Sequence, residues 1–161
     1  MGLGETGGKL ADLIERGGVY RNMPGTTPRE LLTALAGALP AVPSVPKDKL
    51  LEAVLEREAL MPTGIGHGIA LPHPRNPLVT TDSEQFVALV FSENPVDWNS
   101  LDGKRVDTLL LIVSASAKQH LQLLAEINFF CRQEDFRRLL KKRAPLEELL
   151  RFFREAEKNW K

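Results

Sequence analysis

The sequence predicts a single α/β domain in which helices cover both faces of a central sheet. Two continuous apolar runs, QFVALVF and DTLLLIVSA, have the pattern of strands that are covered on both sides. Amphipathic segments with helix-capping signals precede and follow these runs. The 161 residues, 43% of them hydrophobic, are enough for one folded core. Composition alone leaves an α+β arrangement open, and the order of the elements favours one sheet between helices.

The chain begins with eight residues rich in glycine and polar side chains. Residues 1–8 are therefore predicted to be a flexible terminus, and residues 9–161 to form the domain. LADLIERGG then predicts a short amphipathic helix that ends at glycine, and VYRN predicts a short strand.

Two helices follow in the predicted order. Thr27 and Pro28 occupy the N-cap and first positions of the first helix, and Glu30 completes a capping box. AVPSVP is a proline-punctuated loop. The second helix is predicted from about Lys47 to Ala59, because its leucines and valine form one stripe.

The middle of the chain combines glycines, prolines and strands. IAL predicts a short buried strand, and PHPRNP a stiff loop, since each proline fixes φ and lacks an N–H. After the two long apolar runs, Ser116 and Gln119 form a capping box that opens a helix through Asn128. Glu134–Lys142 and Pro145–Lys158 predict two further amphipathic helices.

Composition also excludes several classes of protein. Lys and Arg together number 21, as do Asp and Glu, so the basic excess of a nucleic-acid-binding surface is absent. No apolar run approaches the ~18 residues of a membrane span, and the N-terminus lacks the order of a signal peptide. Cys131 is the only cysteine, so no internal disulfide can form. We therefore expect a cytoplasmic protein without membrane insertion or direct contact to nucleic acid.

Two of the three histidines, His67 and His73, lie in the segment TGIGHGIALPH. Consecutive N–H groups of a glycine-rich turn can form a nest that binds anions. An imidazole beside such a nest could accept a phosphoryl group, because donors for its oxygens would be in place. The segment lacks the ending of a phosphate-binding P-loop. On composition alone, a solvated histidine without chemistry remains the competing interpretation.

The stretch from Arg57 to His73, REALMPTGIGHGIALPH, resembles the active-site signature of the type 2 enzyme IIA family. This is the fructose, mannitol and nitrogen-regulatory class of the bacterial phosphoenolpyruvate-dependent phosphotransferase system. An acidic residue, here Glu58, stands well before a turn of small residues and an apolar–Ala–apolar–Pro–His run. The resemblance extends from Leu10 to about Lys158 and implies a mixed, mainly parallel sheet of about five strands sandwiched between helices.

The resemblance also implies a reaction and the residues that perform it. His73 would accept a phosphoryl group from the phosphocarrier protein HPr, or from its nitrogen-branch counterpart, and pass it to a IIB component. SAKQHLQLLAEI resembles the segment with the family's second histidine, which gives His120 a supporting role, and Arg57 would supply positive charge. The chemistry needs no metal or organic cofactor. The predicted phosphate donors are one hydroxyl and the glycine-rich amides, with one histidine at the rim: Thr63, Gly64, Gly66, Gly68 and His67.

Pro74 departs from the family's pattern, in which a small residue usually follows the phosphorylated histidine. Proline removes a backbone N–H at this place and favours an extended backbone for His73. We therefore expect other donors to hold the phosphoryl group.

Two alternatives to a sugar phosphotransferase remain open from the sequence. The chain could be a stand-alone regulator, or a fragment of a transcriptional regulator, in which the phosphorylation state of His73 controls partner binding. A metal site formed by His67, His73 and His120 is the second alternative, although no thiolate or dedicated carboxylate accompanies these histidines.

Overall fold

The computed structural model describes residues 10–40 and 45–158, which form six α-helices and five β-strands. The predicted flexible residues 1–8 and most of the AVPSVP loop lie outside the described residues. No helix in the described ranges is long and apolar enough to cross a membrane. The elements in chain order are α1 (Leu10–Gly17), β1 (Val19–Met23), α2 (Pro28–Ala38), α3 (Lys47–Leu60), β2 (Gly64–Gly66), β3 (Ile69–Ala70), β4 (Phe86–Val96), β5 (Val106–Val113), α4 (Ala117–Cys131), α5 (Glu134–Lys141) and α6 (Leu146–Lys158).

The five strands form one mixed sheet in the order β1-β4-β5-β3-β2. β1 pairs with β4, and β3 with β5, in parallel; β4 pairs with β5, and β2 with β3, antiparallel. The predicted α/β class with a mixed five-stranded sheet is confirmed. The pairings divide equally between parallel and antiparallel instead of being mainly parallel, because consecutive strands β2–β3 and β4–β5 run back on each other.

Side chains from β4 alternate between two cores, one on each face of the sheet. Val87, Leu89 and Phe91 pack with α1, α4, α5 and α6, whereas Ala88 and Val90 pack with α2 and α3. Both faces of the strand are therefore buried, which explains why its sequence reads as a continuous apolar run. The prediction of helices on both faces of the sheet is confirmed.

β2 is the strand that residue patterning alone does not indicate. Gly64–Gly66 and Ile69–Ala70 form an antiparallel hairpin, and its turn is made by residues with positive φ. Gly66 has φ 95°, His67 58° and Gly68 78°, a conformation that glycine adopts at little steric cost. Glycines are rare inside strands, so the same residues that permit this turn obscure the short strand before it.

The sheet brings the end of β3 next to the beginning of α4. Leu71 donates its N–H to the Thr63 carbonyl at 3.0 Å, and Ile112 donates to the Pro72 carbonyl at 3.1 Å. The backbone therefore remains attached to both neighbouring strands up to the residue before His73. Because β3 and β5 are parallel, the helix that follows β5 starts at the same edge of the sheet.

Candidate active site

His73 and His120 meet at this edge of the sheet. Their ring centroids are 4.5 Å apart, and the rings are inclined at 50°. His73 is placed by the end of β3, and His120 by the first turn of α4, where Ser116 caps the helix by accepting the Gln119 N–H. The structure thus brings together two histidines that are 47 positions apart in the sequence.

The His73 ring is held in one tautomer by the backbone. Its Nδ1 lies 2.8 Å from the Leu71 carbonyl oxygen. Since a carbonyl can only accept, Nδ1 carries the proton, and Nε2 of the neutral ring keeps a free lone pair. His73 is only 8% exposed. Burial lowers the pKa of this imidazole more than any other influence; the Leu71 hydrogen bond opposes that effect, and the Arg57 charge adds to it.

His120 is also neutral at physiological pH. Burial lowers its pKa to about 4, and the neighbouring His73 and the charge of Arg57 contribute to the shift. A neutral imidazole has one N–H donor and one acceptor. His120 can therefore offer a hydrogen bond beside His73 without adding a full positive charge.

Arg57 provides the positive charge near the two imidazoles. It lies in the last turn of α3, where Nη1 donates to the Met61 carbonyl at 2.7 Å. Its charge disfavours protonation of both His73 and His120. A guanidinium has five N–H donors, so its other donors remain for an anion at the site.

Glu58, beside Arg57, organises the wall of the site. Its carboxylate accepts the Thr63 N–H at 2.7 Å, the Thr63 hydroxyl at 2.6 Å and the buried Trp98 indole N–H at 2.9 Å. The Thr63 hydroxyl proton is thus engaged by a carboxylate. Its predicted role as a phosphate donor needs correction, because Thr63 instead ties the start of β2 to α3.

The glycine-rich turn lies at the opposite end of β3 from His73. Gly64 and Gly66 are register partners of β3 residues, and the His67 N–H donates to the Asp102 carboxylate at 2.9 Å. His67 itself is exposed. The turn formed by Gly66, His67 and Gly68 therefore lies away from His73, and its amides do not form the predicted phosphate nest around that residue.

One cavity, of about 190 Å³, lies beside the hairpin turn, and another, of about 220 Å³, lies beside His120. The second cavity is bordered by Pro74, Ser114 and Leu121. The Ser114 hydroxyl is buried and forms no hydrogen bond within residues 10–40 and 45–158. Sequence reasoning missed Ser114, whose only signal is its position directly after an apolar strand.

The three histidines do not converge on a common point. His67 is separated from the pair formed by His73 and His120 by the length of β3. In the part of the chain that the structure describes, no group of three or more His, Cys, Asp or Glu side chains could hold a metal ion. The geometry therefore gives the metal alternative no support.

Residues 13–156 match the family model described as "Phosphoenolpyruvate-dependent sugar phosphotransferase system, EIIA 2". A nitrogen regulatory protein from Pseudomonas aeruginosa is 32% identical over 145 residues, which cover 88% of this chain and 92% of that protein.

Solved structures share the fold at lower sequence identity. The nitrogen regulatory protein IIA-Ntr from Neisseria meningitidis superposes with a TM-score of 0.77 at 23% identity, covering 89% of this chain and 97% of that one. Enzyme IIA-mannitol from Escherichia coli, in complex with phosphorylated enzyme IIB-mannitol, has a TM-score of 0.63 at 18% identity. This second match covers 85% of the present chain and 94% of the other.

Proposed function

We propose that this chain, which belongs to the EIIA 2 family of the phosphoenolpyruvate-dependent sugar phosphotransferase system, carries a phosphoryl group on His73. The observation that carries the proposal is the hydrogen bond from His73 Nδ1 to the Leu71 carbonyl. It fixes the tautomer that presents a nucleophilic lone pair at Nε2. Burial keeps the pKa of the ring low, so the nucleophile is unprotonated at neutral pH.

In the proposed step, Nε2 of His73 attacks the phosphorus of a phosphorylated histidine on the donor. One N–P bond forms as the other breaks, and the electron pair of the broken bond returns to the donor imidazole. The Nδ1 proton stays on the His73 ring and remains hydrogen-bonded to the Leu71 carbonyl oxygen, which stabilises the positive charge that the ring gains. Arg57 and the neutral His120 would donate to the phosphoryl oxygens, since stabilising this charge is the main task in phosphoryl transfer.

The surroundings of the site suit a protein donor and acceptor. Leu60 and Met61 at the end of α3 and Leu121 on α4 are 60%, 66% and 66% exposed. Exposed apolar side chains around a polar centre are typical of protein-binding sites. The expected donor is HPr or its nitrogen-branch counterpart in the cytoplasm, and the expected acceptor is a IIB component, in keeping with the IIA–IIB pair of the mannitol structure.

The test is a mass measurement after incubation with phosphoenolpyruvate, enzyme I and HPr. We expect wild type to gain one phosphoryl group that acid removes, and His73→Ala to gain none. His67→Ala is the matched control, because it removes an exposed histidine at the far end of the same strand, and it should be labelled like wild type. Labelling of His73→Ala at the wild-type rate would refute the proposal.

A regulatory role is the second candidate, and it is favoured by the similarity to the Pseudomonas nitrogen regulatory protein. In this case the phosphoryl group would remain on His73 and alter the binding of partners. The two roles separate when purified phosphorylated protein is mixed with a IIB component. Rapid loss of the label to the IIB cysteine would identify a transport role, whereas retention of the label would identify a regulator.

A further inference from the structure

The 190 Å³ cavity beside the hairpin turn is a second concave site, distinct from the one around His73. Its walls come from the β2–β3 turn, the loop before β5 and one face of α5. β3 and β5 both begin here, whereas His73 and His120 follow the ends of β3 and β5. The two sites therefore occupy opposite edges of the sheet. We call this concavity the basic pocket, and the residues that matter are His67, Lys104, Arg105, Asp107, Arg137 and Lys141.

Four cationic side chains line the basic pocket. Lys104 and Arg105 come from the loop before β5, while Arg137 and Lys141 come from α5. Arg137 and Lys141 are four residues apart, so they share one face of the helix. Like charges in this arrangement repel each other and destabilise a helix. The sequence pattern of α5 alone would not show that both residues face Lys104 and Arg105 across a cavity.

The four cations are not neutralised by ion pairs in the part of the chain that the structure describes. In residues 10–40 and 45–158, neither Lys104 and Arg105 nor Arg137 and Lys141 form an ion pair within 4.0 Å. Arg138, on another face of α5, shows the contrast because it pairs with two acidic residues of its own helix. The acidic residues near α5 thus neutralise its outer face and leave the basic pocket positively charged.

The carboxylates close to the basic pocket already have other contacts. Asp102 accepts the backbone N–H groups of His67 and Lys104 at 2.9 and 3.1 Å, and so holds the loop in shape. Asp107 lines the basic pocket and accepts the Thr108 hydroxyl at 3.0 Å. Its other oxygen lone pairs can accept a hydrogen bond from a ligand hydroxyl. Four cations against these two carboxylates leave an excess of positive charge.

We propose that the basic pocket binds a small phosphate ester that also carries a hydroxyl group. The guanidinium groups of Arg105 and Arg137 suit the paired donors that phosphate oxygens accept. Arg137 is partly oriented for this, because its Nη1 donates to the Cys131 carbonyl at 3.1 Å. Lys104 and Lys141 add point charges, and Asp107 selects for a hydroxyl. The volume admits a metabolite-sized ligand and is smaller than the ~300 Å³ typical of sites for larger molecules.

The proposed ligand site in the basic pocket does not depend on phosphoryl transfer at His73, so it can be tested separately. Isotope-labelled protein is titrated at constant ionic strength with a hexose 6-phosphate, with the unphosphorylated hexose and with orthophosphate. We expect saturable amide shifts at residues 66–69, 104–108 and in α5 with the hexose phosphate, weaker binding of orthophosphate and no binding of the hexose. His73→Ala should bind the hexose phosphate like wild type.

The decisive variant combines Arg105→Gln with Lys141→Gln. Both side chains are exposed, so the fold should persist, and thermal unfolding without ligand checks this. We expect the affinity to fall about tenfold or more, because charge-assisted hydrogen bonds are lost. The matched control, Lys49→Gln with Arg151→Gln, removes two exposed cations elsewhere and should bind like wild type. Absence of saturation at millimolar concentrations, shifts spread over all basic surfaces, or equal weakening in the control would overturn the proposal. Equal affinities for orthophosphate and hexose phosphate would overturn the role of Asp107.

Discussion

Three hydrogen bonds converge on the Glu58 carboxylate and join the end of α3 to Thr63 and to the buried indole of Trp98. Glu58→Ala would leave the Trp98 N–H and the Thr63 groups without this acceptor. We expect the free energy of unfolding to fall by roughly 1–3 kcal/mol, as measured by urea denaturation. Phosphorylation of His73 should also slow, because the wall beside it loses its anchor.

Glu56→Ala is the control for this substitution, since Glu56 is an exposed glutamate on the same helix. Its effect on stability should stay within about 0.5 kcal/mol. Equal losses for Glu56→Ala and Glu58→Ala would show that the loss comes from helix propensity or net charge and not from the hydrogen bonds.

The residues of the candidate site differ in how far the sequence predicts their placement. His73, Glu58 and His120 follow from the resemblance of a short motif and a capped helix start. The hydrogen bond from His73 Nδ1 to the Leu71 carbonyl was not predictable, because it depends on the backbone path after β3. The same holds for Ser114, whose buried hydroxyl is brought beside His120 by the sheet register.

At the scale of an element, α4 depends on its N-cap to place His120. Ser116 accepts the Gln119 N–H at 3.1 Å, and its carbonyl accepts the His120 N–H at 3.0 Å. Ser116→Ala removes the side-chain cap and should lower the free energy of unfolding by about 1 kcal/mol. It should also slow phosphorylation of His73, because the first turn of α4 becomes less ordered.

Thr27→Ala is a matched comparison, because Thr27 caps α2 with a hydrogen bond of the same 3.1 Å length from Glu30. It should cost a similar amount of stability in urea denaturation and leave the phosphorylation rate unchanged. If both variants phosphorylated at the same rate at equal folded fraction, the cap would have no specific part in placing His120.

The contact between α4 and α6 makes stability depend on pH. Glu126 is 2% exposed, and its Oε2 has no hydrogen-bond partner in the described ranges. Burial, together with the charge of Glu157, raises the pKa of Glu126 to about 7. The folded state therefore binds this proton more tightly than the unfolded state, and its contribution to stability is lost as pH rises from about 4.5 through about 7.

Glu126→Gln should remove that loss, since an amide does not ionise. The variant's free energy of unfolding relative to wild type should therefore increase between about pH 5 and pH 8. Urea denaturation at both pH values measures the difference. Glu52→Gln changes an exposed carboxylate on α3 and should show no such trend. A trend shared by both variants would contradict the role of burial.

On the scale of the whole molecule, the layer arrangement was predictable and part of the strand pairing was not. The apolar runs that became β4 and β5 indicate strands covered on both faces, because local hydrophobicity determines burial. Pairing direction and the strand β2 depend on contacts between distant segments. The glycine-rich segment Gly64–Gly66 is a strand only because β3 supplies its hydrogen-bond partners. No local sequence pattern therefore predicts this strand.

Cys131 can serve as a probe for the packing of the core between the sheet and helices α1, α4, α5 and α6. It is 2% exposed in the layer formed by α1, α4, α5 and α6, and burial raises the pKa of its thiol to about 12. A thiol reagent should therefore react with native protein only through openings that expose Cys131, because both access and thiolate formation are blocked in the closed core. Rapid labelling without denaturant, followed by mass, would contradict a closed core.

The backbone around His73 leaves little freedom for a change of shape. The N–H groups of Leu71 and Ile112 form hydrogen bonds that attach the residues before His73 to the two neighbouring strands. The residue after His73 is Pro74, whose ring fixes the backbone angle φ at that position. A phosphoryl group added here cannot release or reorder this segment without breaking the sheet. A partner that distinguishes the two forms must then recognise the added charge directly, through its own complementary surface. Affinity differences between the forms would reside in electrostatics and decrease with ionic strength.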